Sequence, residues 1–469
     1  MRVVLAGFNV EAEILDEARR RFGDAVTPEV ISASYARISR DPRGIAAIRK
    51  EARNAVEKAR RSNERIVFGL GHASVAEHAV LNFDITGVSR LAVEEVEHFR
   101  LASFTEKSQR YIRLDKDIVV PPEIRGSSRE RTLRSLAREL HRAYGEILRA
   151  IGASGAEGVA AKEDARYLMP LATATQLGMT VNARELEHMI RNLAGHPLLE
   201  LRAFSKLVYT TTRQLIPSLV RYPEPAPHVL DMPEARREVC SLIPSRAKGG
   251  GAAGRAAHLA EATSDADERL AACIIFSSCR ISAERAAAAA KRLGKKGREE
   301  IIAATMRRMG PHDAVWREFE TIQFTFELIV SASCFAQLKR HRMATLIAQP
   351  YDIALGVSIP KTFVEARSVA VLRRAAAQAE RLYRAIGGAG EPAAAYALLN
   401  AHRRRVRLSM NLRELYHFSR LRSDRSAQWE IRALSDEMCR LAKDRVPCAA
   451  RLLGGKDEYQ GMEARRRRE

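Results

Sequence analysis

The sequence contains an internal repeat, and this repeat limits the possible folds more than any other feature. Three segments of the first half recur later in the same order: YARIS at 35–39 as SCRIS at 278–282, HFRLAS at 98–103 as RHRMAT at 340–345, and NARELEH at 182–188 as NLRELYH at 411–417. The offsets are 243, 242 and 229 positions. Ordered echoes at similar offsets indicate two homologous domains in tandem, each of ordinary domain size.

A change in composition separates the two halves. Pro223, Pro225, Pro227 and Pro233, together with the glycines at 249–251, mark a connector, because both residue types interrupt regular structure. We therefore predict an N-terminal domain at residues 1–222, a connector at 223–262 and a C-terminal domain at 263–469. The expected fold class is α+β, in which each domain combines a mixed sheet with long helices.

The composition is that of a soluble protein with excess positive charge. Lys and Arg total 78 against 57 Asp and Glu, and the net charge of +21 attracts anions such as nucleic acid, phosphates and nucleotides. The six cysteines form no CxxC pair and no metal-like spacing with histidine, so we expect reduced thiols, no metal and a cytoplasmic location. Residues 1–7 resemble a first strand, residues 465–468 a solvated arginine tail, and no stretch resembles a membrane span.

The segment at 98–111 ends with polar side chains at every second position. Glu106, Ser108 and Arg110 would project to one side of an extended chain. This set suits a phosphorylated small molecule, with Arg110 as a bidentate charge partner and Ser108 as a phosphate ligand rather than a nucleophile. Taken alone, the pattern is more typical of a solvated strand edge.

Several longer motifs lie in or beside the repeats. They are Gly-His-x-Ser-x-x-Glu-His at 71–78, Arg-His-Arg at 340–342, Asn-x-Arg-x-x-x-His at 182–188 and 411–417, and Leu-Arg at 421–422 followed by Ala-Gln-Trp-Glu-Ile at 427–431. In combination they resemble the motifs of the flavin-dependent thymidylate synthases. The resemblance covers nearly all of the chain outside the connector, so the sequence looks like two family domains fused in tandem.

Each half lacks part of the motif set, and the losses are complementary. The first half keeps Ser74, Glu106, Ser108, Arg110 and Arg166. In place of the family's Arg-His-Arg signature it has His98-Phe99-Arg100. It also has Glu95 where the family usually has Gln, and Leu193 where the family has an Arg that activates the pyrimidine. The second half keeps Gln337, Arg340-His341-Arg342 and Arg422. At the positions that correspond to Glu106, Ser108, Arg110 and Arg166 it has Ala348, Pro350, Asp352 and Ala395. Simple decay would spare one half, so the pattern indicates one kind of site assembled from unlike halves.

The resemblance implies conversion of dUMP to dTMP, with methylenetetrahydrofolate as carbon donor and NADPH-reduced FAD as hydride source. The implied dUMP-binding residues are Glu106, Ser108, Arg110, Arg166, Gln337, Arg340 and Arg422, of which Arg422 is also catalytic because its charge would polarise the pyrimidine. The implied FAD contacts are Ser74, Glu106, Asn182, Arg184, His188, Arg340, His341, Arg342, Asn411, Arg413 and His417. Two chains would associate as a homodimer that mimics the family's four-domain assembly.

Other interpretations stay open on the sequence alone. The chain could be a degenerate family member that binds nucleotide or nucleic acid, or an enzyme that acts on a different nucleotide. Asn182 and Asn411 could serve only as helix N-caps. Survival of both motif copies fits either two flavin sites or a shared structural role.

Overall fold

The computed structural model describes residues 9–38, 41–114, 116–153, 158–244 and 254–459. The predicted first strand at 1–7, the glycines at 249–251 and the arginine run at 465–468 lie outside these residues. Every helix within the described ranges is too short or too polar to span a bilayer.

Two small sheets carry the repeat. The first contains β1 (Val80–Ser89), β2 (Ala102–Glu106) and β3 (Ala174–Asn182) in the order β1-β3-β2; the second contains β4 (Ala257–Ala262), β5 (Gln323–Ser331), β6 (Thr345–Ala348) and β7 (Arg403–Asn411) in the order β4-β5-β7-β6. The order β5-β7-β6 repeats β1-β3-β2, which confirms the α+β class and the tandem repeat. The prediction of mixed sheets is wrong for the described strands, which all pair antiparallel. Side chains of β3 alternate between buried and more exposed positions, as antiparallel sheets with one solvated face permit.

A single-residue bulge explains why the repeat offset changes. In β1, Thr86 pairs with Gln176 and Val88 pairs with Thr175, so Gly87 has no partner in the ladder. Its φ of 68° is a backbone conformation that glycine adopts without steric cost. The equivalent strand β5 pairs with β7 without interruption. The first half therefore has one extra residue here, and the offset falls from 243 before the bulge to 242 after it.

Helices form most of the remaining structure. In the first half they are α1 (Ala12–Phe22), α2 (Glu29–Arg37), α3 (Ile45–Asn54), α4 (Val56–Glu64), α5 (Arg90–Val96), α6 (Ser128–Ala153), α7 (Val159–Ala165), α8 (Ala183–Ala194) and α9 (Leu199–Thr212). Beyond them are α10 (Pro227–Leu242), α11 (Ala266–Ser278), α12 (Ala283–Arg292), α13 (Gly294–Met306), α14 (Ala332–Leu338), α15 (Lys361–Glu365), α16 (Val369–Ile386), α17 (Leu412–Arg422) and α18 (Trp429–Arg445). Both α10 and β4 lie in the predicted connector, whose boundaries stay a prediction.

Four strands run directly into helices, and each junction has a capping side chain. Ser89 caps α5, Asn182 caps α8, Ser331 caps α14 and Asn411 caps α17. Each side chain accepts a hydrogen bond from the backbone N–H three residues later, which typically stabilises a helix by about 1 kcal/mol. Asn182 and Asn411 therefore act as N-caps, and whether they also contact flavin stays a prediction.

The two halves meet around a pseudo-two-fold axis. The Leu171 N–H donates to the Leu398 carbonyl, and the Asn400 N–H donates to the Met169 carbonyl, both at 2.8 Å. With an offset of 229, position 171 corresponds to 400 and position 169 to 398. Each hydrogen bond is therefore the image of the other, as at the interface of a symmetric dimer.

Two carboxylates repeat this symmetry with side-chain contacts. Tyr167 of the first half donates its hydroxyl to Glu430 of the second at 2.6 Å, and Tyr396 donates to Glu200 of the first at 2.5 Å. Each carboxylate also accepts a hydrogen bond from the capping serine at the start of α5 or α14. The two halves therefore hold each other's strand-to-helix junctions in place.

One pair on the axis breaks the symmetry. Glu97 and Lys339 occupy equivalent positions, yet they contact each other, with Oε2 and Nζ 3.1 Å apart. Both residues are buried, at 4% and 6% exposure. Opposite charges stabilise this contact, whereas two copies of either residue would place like charges together in a buried position.

A shared hydrophobic core joins the halves. Helices α6 and α16 pack against each other, and their buried leucines, such as Leu140 and Leu372, belong to one cluster with Tyr167 and Tyr396. A second core surrounds the second sheet, and a small third core lies among α2, α3 and α4. The halves thus share one packed interior at their junction.

Candidate active site

The residues predicted to bind a phosphorylated ligand converge on the junction between the halves. Arg110, just after β2, forms an ion pair with Glu163, and its Nη2 donates to the Ser426 carbonyl oxygen at 2.9 Å. Ser426 lies between α17 and α18, close in sequence to Arg422. Candidates from the first and second halves are therefore brought together.

Arg166 is buried at the end of α7, with 4% exposure. Its Nε donates to the Glu163 carbonyl oxygen at 3.0 Å. Its Nη2 has no hydrogen-bond partner among the described residues. Burial lowers the pKa of Arg166, and the nearby charges of Arg90 and Arg110 act in the same direction. The protein thus holds a buried guanidinium whose charge an anion would stabilise.

Arg422, the last residue of α17, adds a second poorly neutralised charge. Its Nη2 donates to the Gln337 carbonyl oxygen at 3.2 Å. Burial lowers the pKa of Arg422 to about 10, with Arg340 and Arg110 contributing in the same direction. The guanidinium is still protonated at neutral pH, and guanidinium groups from both halves influence one another here.

Polar atoms of α14 complete this region. The side-chain Oε1 and Nε2 of Gln337 and the Oγ of Ser333 are buried and have no hydrogen-bond partner among the described residues. Buried polar atoms are nearly always hydrogen-bonded in native proteins. An amide that offers one acceptor and two donors can pair with a ligand that carries both kinds of group.

The predicted alternation at 106, 108 and 110 is only partly extended. Strand β2 ends at Glu106, and the Arg110 N–H donates to Ser108 Oγ at 3.1 Å, which closes a local turn. A serine hydroxyl that bonds to nearby backbone competes with strand pairing. The interpretation of three side chains on one extended strand is therefore wrong, although Arg110 still reaches the junction.

Arg90, at the start of α5, is a residue that sequence reasoning missed. It forms an ion pair with the buried carboxylate of Glu106. Burial opposes ionisation of Glu106, but Arg90 and Lys339 bring its pKa below the ordinary value. The repeat contains a signal that could have found it, because the position equivalent to Arg90 is Ala332.

The predicted flavin contacts of the first half lie around α8. Ser74 is exposed on a short helix, Ala73–His78, and Arg184 forms an ion pair with Glu77 of that helix. His188 is also exposed, and its ring lies 5.6 Å from that of Phe99. These residues therefore lie beside the altered signature of the first half.

A second group lies around α17, beside the intact signature. Arg340 and His417 are exposed, and the His417 ring centre lies 5.8 Å from that of His341. Arg342 donates to the Arg100 carbonyl at 3.2 Å, across the junction. Arg413 is bound to Glu320 and to the Val315 carbonyl.

His341 is directed inward. Its Nδ1 lies 3.1 Å from Oε1 of Glu414, and its Nε2 lies 2.9 Å from Nε of Arg422. Burial lowers the pKa of His341, and Arg422 also lowers it, while Glu414 raises it. Its flavin contact stays a prediction, and both ring nitrogens already have protein partners.

Known proteins match both halves. The family model for thymidylate synthase complementing proteins matches residues 24–218 and again residues 258–448. A flavin-dependent thymidylate synthase of Nitratidesulfovibrio vulgaris is 31% identical over 180 residues, which cover 38% of this chain and 74% of the relative. One from Clostridium tetani is 30% identical over 210 residues, covering 42% and 83%. A UPF0159 protein of Thermoplasma acidophilum is 23% identical over 476 residues, covering 90% and 94%.

The chain belongs to the flavin-dependent thymidylate synthase family. Two matches of one family model confirm that it is a tandem version. The first two relatives align with fewer than half of its residues, whereas the Thermoplasma protein spans nearly all of them.

In this tandem family member, the region that the axis relates to the candidate site has different contents. Ala348, Ala395 and Asp352 stand at the positions of Glu106, Arg166 and Arg110. Nearby, a network of hydrogen bonds and ring contacts within the protein occupies the junction.

The network centres on a buried carboxylate of α5. Glu94 accepts hydrogen bonds from the Tyr351 hydroxyl at 2.6 Å and from Arg404 Nη1 at 2.8 Å. The Arg404 guanidinium lies over the rings of Phe335 and Tyr351, 4.6 and 4.5 Å from their centres. Each charged group of the network therefore has a partner within the protein, although burial raises the pKa of Glu94.

Proposed function

We propose that the protein converts dUMP to dTMP at a site formed between its unlike halves. The observation that carries the proposal is the cluster of buried Arg166 with half-buried Arg110 and Arg422, which both halves supply. Unpartnered polar atoms accompany it on Arg166 and Gln337. A nucleoside monophosphate offers both an anion and an amide-like base edge to such a cluster.

The phosphate of dUMP fits the first-half residues. Its charge is close to −2 at neutral pH, and guanidinium groups bind such oxygens with paired, charge-assisted hydrogen bonds. Nη2 of Arg166 has no partner in the part of the chain that the structure describes, and Arg110 lies at the same junction. Ser108 supplies a hydroxyl beside them. Binding the phosphate would offset the mutual repulsion of these arginines.

The uracil ring fits the second-half residues. The Gln337 amide can both donate to and accept from the base edge. Arg422 would stabilise negative charge that develops on the ring during carbon–carbon bond formation, because even a half-buried cation acts more strongly than one in bulk water. Leu193, at the equivalent position of the first half, has no charge to contribute.

FAD, methylenetetrahydrofolate and NADPH complete the proposed reaction. The exposed side chains of Arg340 and His417, beside Arg422, are suitable donors for an anionic cofactor. Bound FAD, once reduced by NADPH, would supply the hydride. Two chains would associate as a homodimer to reproduce four family domains.

The first experiment is the absorbance spectrum of the purified protein before and after reconstitution with FAD. The proposal predicts flavin bands and synthesis of dTMP from dUMP. A protein that takes up no flavin and forms no dTMP would contradict it, and tight dUMP or oligonucleotide binding alone would favour a degenerate binding protein.

A mixing experiment tests where the site forms. Arg110→Ala and Arg422→Ala variants should each lose activity. If both halves of the site come from one chain, as the Arg110–Ser426 contact supports, mixing the two variants restores nothing. Recovered activity would instead require a site shared between two chains.

A further inference from the structure

We propose that Glu414 and His341 form a positioning chain that fixes the orientation of Arg422. This inference rests on the proposed function, in which Arg422 faces the base. Neither residue needs to contact the substrate for this role. The chain runs from the carboxylate of Glu414 through the imidazole to the guanidinium.

The hydrogen-bond geometry determines the imidazole tautomer. A carboxylate can only accept, so the proton lies on Nδ1, 3.1 Å from Glu414 Oε1. The lone pair of Nε2 then accepts from Arg422 Nε, 2.9 Å away. The Phe418 ring lies 4.6 Å from the imidazole and, with burial of His341, prevents it from turning away.

These contacts leave Arg422 a defined set of free donors. A guanidinium has five N–H groups in a fixed planar fork. His341 engages the Nε–H, and the Gln337 carbonyl engages one Nη2–H. Three N–H groups at the far edge of the fork have no partner among the described residues, and they remain for the base.

The first half provides an internal comparison. There, Phe99 replaces His341 and Leu193 replaces Arg422, although these positions are far apart in sequence. The equivalent of Glu414 is retained as Glu185, and its carboxylate accepts from the Leu101 N–H at 3.1 Å instead. The imidazole and the guanidinium are thus absent together, as expected when one serves only to hold the other.

Protonation of the imidazole would break the chain. A charged His341 would present an N–H to Arg422 and add a second positive charge beside it. The ionisable groups facing His341 are Glu414 and His417 on α17 and Arg422 at its end. Burial and Arg422 favour the neutral ring, so the chain is intact at neutral pH.

The test compares His341→Phe, His341→Gln and the matched first-half variant Phe99→His. The Phe variant should lower kcat by about 100-fold, because small misplacements of a catalytic group have effects of this size. Glutamine can accept from Arg422 while donating to Glu414, so it should restore most of kcat and remove the acid limb of the pH profile. Phe99→His should leave kcat unchanged.

Separate outcomes overturn the two proposals. If the wild type makes dTMP and His341→Phe retains its kcat, or His341→Gln is as impaired as His341→Phe while both keep the wild-type Tm, the positioning chain is wrong. ¹⁵N chemical shifts of His341 provide a readout that needs no activity. A neutral ring with the proton on Nδ1 supports the chain, and any other state at pH 7.5 contradicts it, even if the wild type proves inactive.

Discussion

The two regions related by the pseudo-two-fold axis use buried arginine in opposite ways. In the candidate site, Arg166 keeps an unpartnered Nη2, and burial lowers its pKa. In the related region, burial also disfavours the charge of Arg404, but Tyr351 and Glu94 outweigh it and raise the pKa. One region leaves charge for a ligand, and the other satisfies its own charge.

This difference shows what duplication within one chain permits. In a dimer of identical subunits, every unpartnered charge occurs twice, and each copy destabilises the fold without ligand. Here the cluster of Arg110, Arg166 and Arg422 occurs once per chain, and packed aromatic and ionic groups occupy the related region. The candidate site thus provides the charge that binds a ligand, and the related region contributes to the stability of the fold.

The largest expected effect is on the free energy of unfolding, and it concerns the Glu97–Lys339 pair between the two regions. Glu97→Gln would leave Lys339 buried without its carboxylate, and breaking such a pair typically costs about 3–5 kcal/mol. Chemical denaturation measures the loss in unfolding free energy. The reversed double variant Glu97→Lys/Lys339→Glu should recover most of it. Equal stability of wild type and Glu97→Gln would show that the pair does not hold the halves together.

The second test makes one region resemble the other at a single position. Arg422→Leu introduces the residue that the first half has at position 193. Removing a preorganised charge-stabilising donor should lower kcat by about 100- to 1,000-fold. Full activity of Arg422→Leu would remove this arginine from the mechanism.

The third test uses pH. Asp164 accepts from Thr362 Oγ1 and Trp429 Nε1, and its equivalent is Ala393. Burial raises its pKa to about 6 from 3.8, outweighing those hydrogen bonds. The folded protein therefore binds more protons than the unfolded chain between these values, and stability falls as pH rises from about 4 to 6, by at most about 3 kcal/mol.

Asp164→Asn should remove this fall, because an uncharged amide can accept from Trp429 Nε1 and donate to Thr362 Oγ1, which reverses the second hydrogen bond. We expect greater stability of the variant above pH 6.5 and a flatter profile below it. Denaturation at several pH values provides the measurement. Parallel profiles for the two proteins would mean that Asp164 is ionised normally in the fold.

The smallest expected effect is on ligand affinity. Arg166→Ala gives the first half the alanine found at position 395, and loss of a charged hydrogen bond should weaken dUMP binding by about 10- to 100-fold. Titration calorimetry measures the Kd, with Ala395→Arg as the matched control that should leave it unchanged. An unaltered Kd for Arg166→Ala would place the phosphate elsewhere.

Much of the architecture could be predicted from the repeat. Equivalent strands have the same order, and Asn182 and Asn411 cap equivalent helices, because capping depends on local chemistry. The complementary losses of motif residues in the two halves also predicted that Arg110 lies near the segment after Arg422. The antiparallel pairing and the turn at Ser108 were missed, since both depend on backbone contacts that periodicity does not encode.

Other features depend on contacts between distant residues. The Tyr167–Glu430 bond, the Arg90–Glu106 pair and the inward direction of His341 each join groups from separate elements. The Arg-His-Arg motif identifies His341 as one of several predicted flavin contacts. Only the fold shows that its two ring nitrogens form hydrogen bonds with Glu414 and Arg422. Such pairs have no local signature along the chain.

The contact between Glu97 and Lys339 has a consequence for ancestry. A residue on the axis of an identical dimer meets its own copy, so two identical genes cannot produce a glutamate facing a lysine. Only a fused chain, or two diverged genes, can acquire such a pair. This pair opposes a return to separate domains. A homodimer of the first half alone would place two copies of Glu97 in contact, and a homodimer of the second half alone would place two copies of Lys339 in contact. Separation of the two halves would therefore bury like charges together, which favours retention of the fused chain.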